Sequence, residues 1–144
     1  MNTPKHNPAV LLIDPNSELL RALTRELEDK DYDVVALPDP SSAIKYINDT
    51  HKRFDVVISD VFTPKITGAD FLATYKKLFP DAPVILTTNT ADWHDYKTLH
   101  EGGAFDCLCK PLSKSTVLSA IRHALNNTHS IPPTKSANKK TIHA

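Results

Sequence analysis

Short apolar runs alternate with helix-like segments along most of the chain. Most of these runs are apolar throughout, which is typical of strands that are buried on both faces of a sheet. Between the runs, apolar residues recur at helical spacing with polar residues among them. The pattern predicts five strands, each followed by a helix, with the strands at 10–13, 34–37, 54–59, 84–88 and 104–109.

Capping residues mark where several helices begin and end. Ser17 is predicted to cap the first helix, Asp39 the second and Ser113 the fifth. Gly102 and Gly103 are predicted to close the fourth helix. Five strand–helix alternations predict a parallel sheet that helices cover on both faces. In such sheets, functional residues collect at the carboxyl ends of the strands.

The composition fits one domain with a polar tail. The chain has 144 residues, of which 40% are hydrophobic and 24% are charged, enough to fold around a single core. Residues 9–126 are predicted to form this domain. Residues 1–8 are predicted to be disordered, and residues 127–144 to be a disordered tail or the start of a linker.

Charge and cysteine content exclude several classes of protein. Lys plus Arg and Asp plus Glu both number 17, so global charge indicates no direct nucleic-acid binding and no acidic membrane partner. The sequence shows neither the apolar core of a signal peptide nor the roughly 18 apolar residues of a membrane span. Cys107 and Cys109 lie two apart in one predicted strand, where their side chains run parallel and do not bridge each other. We therefore expect a reduced, cytoplasmic protein with both thiols buried.

Four polar side chains are predicted to meet at one end of the sheet. Asp14 follows the first strand and Asp60 the third, while Thr88 ends the fourth strand and Lys110 follows the fifth. Two carboxylates repel each other, and a hard cation such as Mg²⁺ relieves this repulsion by binding their oxygens. One carboxylate can then form an acyl phosphate, while an ammonium neutralises the transferring group and a hydroxyl bonds a product oxygen. The four residues predict phosphoryl chemistry on a carboxylate.

Five motifs in this order resemble the CheY-like receiver domain of bacterial response regulators, over roughly residues 9–126. The motifs are Val10-Leu-Leu-Ile-Asp14, Phe54-Asp-Val-Val-Ile-Ser-Asp60, Thr63-Pro64 with Gly68, Pro83-Val-Ile-Leu-Thr-Thr88, and Gly103-Ala-Phe-Asp-Cys-Leu-Cys-Lys110-Pro111. The resemblance implies a single doubly wound α/β domain of flavodoxin-like fold, with a five-stranded parallel sheet in the order 2-1-3-4-5.

The resemblance also assigns roles within the site. It implies that Asp60 is the phosphoacceptor, that Thr88 binds the phosphoryl group and that Lys110 ion-pairs with it. Asp14, Asp60 and the backbone carbonyl of Phe62 are the implied Mg²⁺ ligands. A cis peptide is implied between Lys110 and the proline that follows it.

The partners implied by the resemblance are proteins. A histidine kinase or a histidine phosphotransfer protein would supply the phosphoryl group, and an output protein or domain would respond. Such a chain is no enzyme beyond catalysing its own phosphorylation and dephosphorylation. Whether it forms a homodimer stays open.

Three positions depart from the family pattern. Pro15 occupies the place of a second acidic residue that is normally a direct metal ligand, so we expect Mg²⁺ to bind weakly. Asn16 is the first candidate to supply a replacement oxygen. Cys107 stands where Tyr or Phe is usual, and Phe62 stands where polar residues are common.

Two other functions compete with phosphoryl acceptance. A degenerate receiver would bind partners without being phosphorylated, and the proline at position 15 favours it. Enzymes are disfavoured. A dehalogenase-type phosphatase would need a second Asp at position 62, and a dinucleotide-binding enzyme would need a glycine-rich first turn.

Overall fold

The computed structural model describes residues 6–61, 67–89 and 93–130. Within them, five strands alternate with five helices: β1 (Ala9–Ile13), α1 (Ser17–Asp29), β2 (Asp33–Leu37), α2 (Pro40–Thr50), β3 (Val56–Asp60), α3 (Gly68–Leu78), β4 (Val84–Thr88), α4 (Trp93–Glu101), β5 (Asp106–Cys109) and α5 (Lys114–Ser130).

The five strands form one parallel sheet in the order β2-β1-β3-β4-β5. Leu12 of β1 lies opposite Ile58 of β3, and Ile58 lies opposite Ile85 of β4. The predicted doubly wound, flavodoxin-like fold is confirmed. Strand order reverses at β1, because the chain goes first to β2 on one side and then to β3 on the other. This reversal opens a crevice at the carboxyl ends of the two central strands.

Alternate residues of the strands supply two cores, one on each face of the sheet. Val10 and Leu12 pack with helices α1 and α5, whereas Leu11 and Ile13 pack with α2, α3 and α4. Because strand side chains alternate between faces, a strand in the middle of such a sheet is buried on both faces and is therefore largely apolar. β1 is accordingly buried along its whole length.

Most predicted helix caps are confirmed, and one is wrong. The side chain of Asp39 accepts the Ser42 N–H at 2.8 Å, and Ser113 accepts the Thr116 N–H at 3.1 Å. Helix α1 is capped by Asn16, whose Oδ1 accepts an N–H at 3.1 Å, and the predicted cap Ser17 is the first helical residue. Both residue types are good caps, so their adjacency left the sequence ambiguous.

Several element ends differ from the sequence prediction. Strands β1 and β2 each begin one residue earlier than predicted, and β3 runs from Val56 to Asp60 where 54–59 was predicted. Strand β5 begins at Asp106, two residues later than predicted, because the Ala104 N–H bonds the carbonyl of Leu99 at 3.1 Å and so belongs to the end of α4. Helix α5 continues to Ser130, four residues past residue 126, where the domain is predicted to end. The domain boundary itself stays a prediction. None of the helices in the described ranges is both long and apolar enough to span a membrane.

Candidate functional site

The fold brings Asp14, Asp60, Thr88 and Lys110 to the carboxyl end of the sheet. Asp60 is the last residue of the central strand β3, and Thr88 is the last residue of β4. Asp14 directly follows β1, and Lys110 directly follows β5. The Lys110 N–H donates to the Thr88 carbonyl at 2.7 Å, which ties the ends of β4 and β5 together. Phe62, the third implied metal ligand, lies outside the described residues.

The two carboxylates are buried, and one ammonium serves both. Asp14 is 5% exposed and Asp60 is 3% exposed. Lys110 Nζ lies 2.7 Å from Asp14 Oδ2 and 2.9 Å from Asp60 Oδ1. A carboxylate that leaves water loses much of its solvation, so a nearby cation is needed to keep it charged. Lys110 provides that cation at the point where the strand ends converge.

The two contacts of Lys110 differ in kind. The contact with Asp14 is a hydrogen bond as well as an ion pair. The contact with Asp60 Oδ1 is short, but its angles fall outside those of a hydrogen bond, and that oxygen accepts no hydrogen bond from the described residues. We read it as a charge contact, because hydrogen bonds weaken steeply when misaligned. Asp60 therefore keeps a buried oxygen with unused accepting capacity.

The charge state of Lys110 follows from its surroundings. Burial alone lowers the pKa of its ammonium, but the hydrogen bond to Asp14 and the negative charges of Asp14 and Asp60 more than offset burial and raise the pKa above its ordinary value. The side chain is therefore positively charged at neutral pH, as the neutralising role predicted for it requires.

A tight turn holds Asp14, and the sequence analysis missed it. Asp14 Oδ1 accepts the Asn16 N–H at 2.8 Å, which closes an Asx turn around Pro15. Asn16 in turn caps α1 with its own side-chain oxygen. The Asp-Pro-Asn order was a readable signal for this turn, since Asp and Asn form such turns and proline presets φ.

The donor atoms present fit Mg²⁺. Hard carboxylate oxygens suit this ion, which usually binds one or two protein carboxylates and keeps several waters. Asp60 Oδ1 is a buried oxygen in need of a partner, and Asp14 lies at the same site. No third His, Cys, Asp or Glu side chain joins them among the residues described. Pro15 contributes no side-chain oxygen, and the Asn16 oxygen already accepts a hydrogen bond from α1.

The two cysteines differ from each other. Both are free thiols, as predicted, and Cys107 is buried in the core beside β4. Burial raises the pKa of the Cys107 thiol to about 11, with the Asp106 carboxylate acting in the same direction. The prediction that Cys109 is buried is wrong. Cys109 is the last residue of β5, and its side chain is exposed.

Comparisons with known proteins agree with this geometry. The family model for the response regulator receiver domain matches residues 10–122. The transcriptional regulatory protein GlrR of Escherichia coli is 31% identical over 124 residues, which cover 85% of this chain and 28% of GlrR. The cyclic-nucleotide phosphodiesterase regA of Dictyostelium discoideum is 31% identical over 122 residues, 82% of this chain and 15% of regA. The chain thus spans under a third of either relative's length.

Solved structures show the same fold. A receiver domain from Clostridium thermocellum superposes with a TM-score of 0.78 at 29% identity, covering 85% of this chain and 97% of that one. The chemotaxis response regulator CheY4 of Vibrio cholerae gives 0.77 at 25% identity, covering 83% of this chain and all of the other. The sheet order, the strand-end residues and these matches together show that the chain belongs to the response regulator receiver domain family.

Proposed function

We propose that this chain is a phosphoryl-accepting signal receiver in a two-component phosphorelay, with Asp60 as the acceptor. One observation carries the proposal. Asp60 is a buried carboxylate at the end of the central strand, with a buried oxygen that accepts no hydrogen bond from the described residues and an ammonium 2.9 Å away. Leaving such an atom unsatisfied is costly, so its retention supports a role in chemistry.

The proposed reaction moves one phosphoryl group between proteins. A carboxylate oxygen of Asp60 attacks the phosphorus of a phosphohistidine on a histidine kinase or a histidine phosphotransfer protein. The O–P bond of an acyl phosphate forms as the P–N bond breaks, and the departing imidazole takes up a proton. Lys110 neutralises charge on the phosphoryl oxygens, and the Thr88 hydroxyl hydrogen-bonds one of them.

Mg²⁺ has a supporting place in this proposal. Asp14, Asp60 and the backbone carbonyl of Phe62 would hold it, and it would supply further charge neutralisation at the phosphoryl oxygens. We propose that it binds weakly, because Pro15 brings no oxygen to the site. A lost carboxylate ligand is expected to cost at least the roughly 10- to 100-fold in affinity that outer-shell partners cost.

As a member of this family the chain is a signalling module, and at most it catalyses its own phosphorylation and dephosphorylation. We propose that phosphorylation changes its conformation and thereby controls an output protein or domain. A cytoplasmic location is typical of the family and is proposed here as well.

A degenerate receiver is the second candidate, and the turn after β1 is the observation that favours it. This alternative function would be protein interaction without phosphorylation. It predicts that neither acetyl phosphate nor a phosphorylated phosphotransfer protein labels the chain, even at high Mg²⁺.

Intact-mass measurement after incubation with acetyl phosphate and Mg²⁺ tests both candidates. We expect one added phosphoryl group on the natural chain and none on Asp60→Asn. The matched control is Asp49→Asn, which removes an exposed carboxylate on α2 that pairs with Lys45. This control should be labelled like the natural chain. Equal labelling of Asp60→Asn would remove Asp60 from its proposed role.

A further inference from the structure

Thr87 places a hydroxyl group inside the core, beside the proposed acceptor. It is 1% exposed, and its Oγ1 is buried and makes no hydrogen bond with the described residues. Thr87 of β4 is paired with Asp60 of β3. Ile58 and Ile85 pack on the α1 and α5 side of the sheet, so the alternation of side chains puts Asp60 and Thr87 on that side as well. A hydroxyl that needs a partner therefore lies next to the phosphoacceptor.

A cavity between the sheet and α1 offers room for such a partner. Thr87 and Asp14 both line it, and the remaining walls are formed by leucine and isoleucine residues. A cavity stays dry where all its walls are apolar, whereas this one has a hydroxyl and an acidic residue in its walls. The polar groups favour a small hydrogen-bonding molecule as its occupant.

The acceptors that surround Thr87 belong to carboxylates. Each oxygen of Asp14 accepts one hydrogen bond from the described residues, so each keeps a further lone pair. Asp60 Oδ1 accepts none from the described residues. Burying a donor and an acceptor without hydrogen bonds is costly for both. One molecule that accepts from the hydroxyl and donates to the carboxylates would satisfy them together.

We propose that this cavity holds one ordered water, which accepts the Thr87 O–H and donates to Asp14 and to Asp60 Oδ1. About three hydrogen bonds are usual for a buried water. The water takes one lone pair of Asp60 Oδ1 and leaves the other for a cation. Thr87 thereby becomes a positioning residue, because the Asp60 carboxylate is held in one orientation for attack. This role rests on the proposed function.

A high-resolution crystal structure of the metal-free protein tests the water directly. We expect a water within hydrogen-bonding distance of Thr87 Oγ1 and of both carboxylates. Thr87→Val keeps the branched shape of the side chain and removes the hydroxyl, so the same water should be lost or disordered in that variant. No water at Thr87, a water that reaches neither carboxylate, or one that stays equally ordered in Thr87→Val would overturn the proposal.

A second buried hydroxyl provides the matched control. Thr24 on α1 also has a buried Oγ1 without a hydrogen bond to the described residues, but Thr24 does not line this cavity. We expect the NMR chemical shift of the Asp60 carboxyl carbon to change in Thr87→Val and to stay unchanged in Thr24→Val. Thr87→Ser keeps the hydroxyl and should restore most of the natural shift. An unchanged shift in Thr87→Val would contradict the link to Asp60.

The positioning role is measured as the rate at which acetyl phosphate labels Asp60. We expect Thr87→Val to be about two- to ten-fold slower than the natural chain, and Thr24→Val to match it. An equal rate in Thr87→Val would remove the positioning role. The crystal structure and the carboxyl shift need no phosphoryl transfer, so a natural chain that is not labelled would remove the proposed function and leave the water testable. If Thr87→Val does not fold, the crystal structure of the natural chain decides.

Discussion

At the scale of single residues, Cys107 connects burial with a measurable pH dependence. Its thiol has a pKa of about 11 in the folded chain, against an ordinary value of 9.0, chiefly because burial disfavours the thiolate. A group whose pKa rises on folding contributes stability that is complete below its unfolded pKa. This contribution is lost as the pH rises through the folded pKa. The window for Cys107 is therefore pH 9 to 11.

Cys107→Val should remove that part of the alkaline loss of stability. We expect the free energy of unfolding of the natural chain to fall by up to about 2 kcal/mol more than that of the variant between pH 9 and 11. Urea denaturation at several pH values measures this difference. Tyr75 also carries a raised pKa, about 12, chiefly from burial, and its effect cancels when the two proteins are compared. Cys109→Val is the control for an exposed thiol, and a loss of pH dependence there would contradict the assignment to Cys107.

The polar residues of the site show what a sequence reveals at this scale. Asp14, Asp60, Thr88 and Lys110 were predicted at strand ends, and all four lie at the same end of the sheet. Their partners were harder to foresee. Lys110 hydrogen-bonds Asp14 but makes only a charge contact with Asp60. This difference depends on side-chain directions at the strand ends, which no local sequence pattern encodes.

At the scale of elements, the strands were predicted more accurately than their ends. A strand buried on both faces is largely apolar, so β1 and the Val84-Ile85-Leu86 run of β4 were unambiguous. Where helix α4 passes into β5, a backbone hydrogen bond from Ala104 to Leu99 decides the boundary. Such a bond depends on how the turn packs, and apolar residues on both sides of it look alike in sequence.

Strand β5 is the element where coupling to phosphorylation can be tested. Cys107 lies on its buried face, at the position where the resemblance to receiver domains implies Tyr or Phe. Cys107→Tyr should enlarge the phosphorylation-dependent chemical-shift changes in β5 and in residues 97–101, because a larger side chain distinguishes the two conformations more strongly. NMR spectra with and without acetyl phosphate measure this.

Cys109→Tyr is the matched control for that experiment. It places the same aromatic group on the same strand at an exposed position, so the shift changes should stay as in the natural chain. Overpacking of the core is the risk of the first variant, and the smaller Cys107→Leu shows whether volume alone alters the spectra. Equal changes in all three variants would mean that coupling runs through other residues.

At the scale of the whole molecule, the alternation of strands and helices led to the correct architecture. Five repeats of one pattern predict a parallel sheet, and a parallel sheet needs helices on both faces. The strand order came from the resemblance to receiver domains, because the chirality of crossovers limits the order without fixing it. The partner that reads the signal depends on surface detail that neither the pattern nor the resemblance encodes.

The buried clusters predict which part of the chain carries the stability. Among the described residues, the buried members of both cores lie between Ala9 and Ala124. Tolerance to truncation follows from burial and hydrogen bonding of the removed backbone rather than from its position in the sequence.

A chain that ends at Ser130 keeps the whole of α5 and every buried residue of the two clusters. We expect its free energy of unfolding to lie within about 0.5 kcal/mol of that of the full chain. Urea denaturation of both proteins measures this, and acetyl phosphate labelling of Asp60 should be equal in both. The matched control ends at Ala120, which removes the buried Ile121 and Ala124 and should cost several kcal/mol. A loss of that size on ending the chain at Ser130 would place stabilising contacts in residues 131–144.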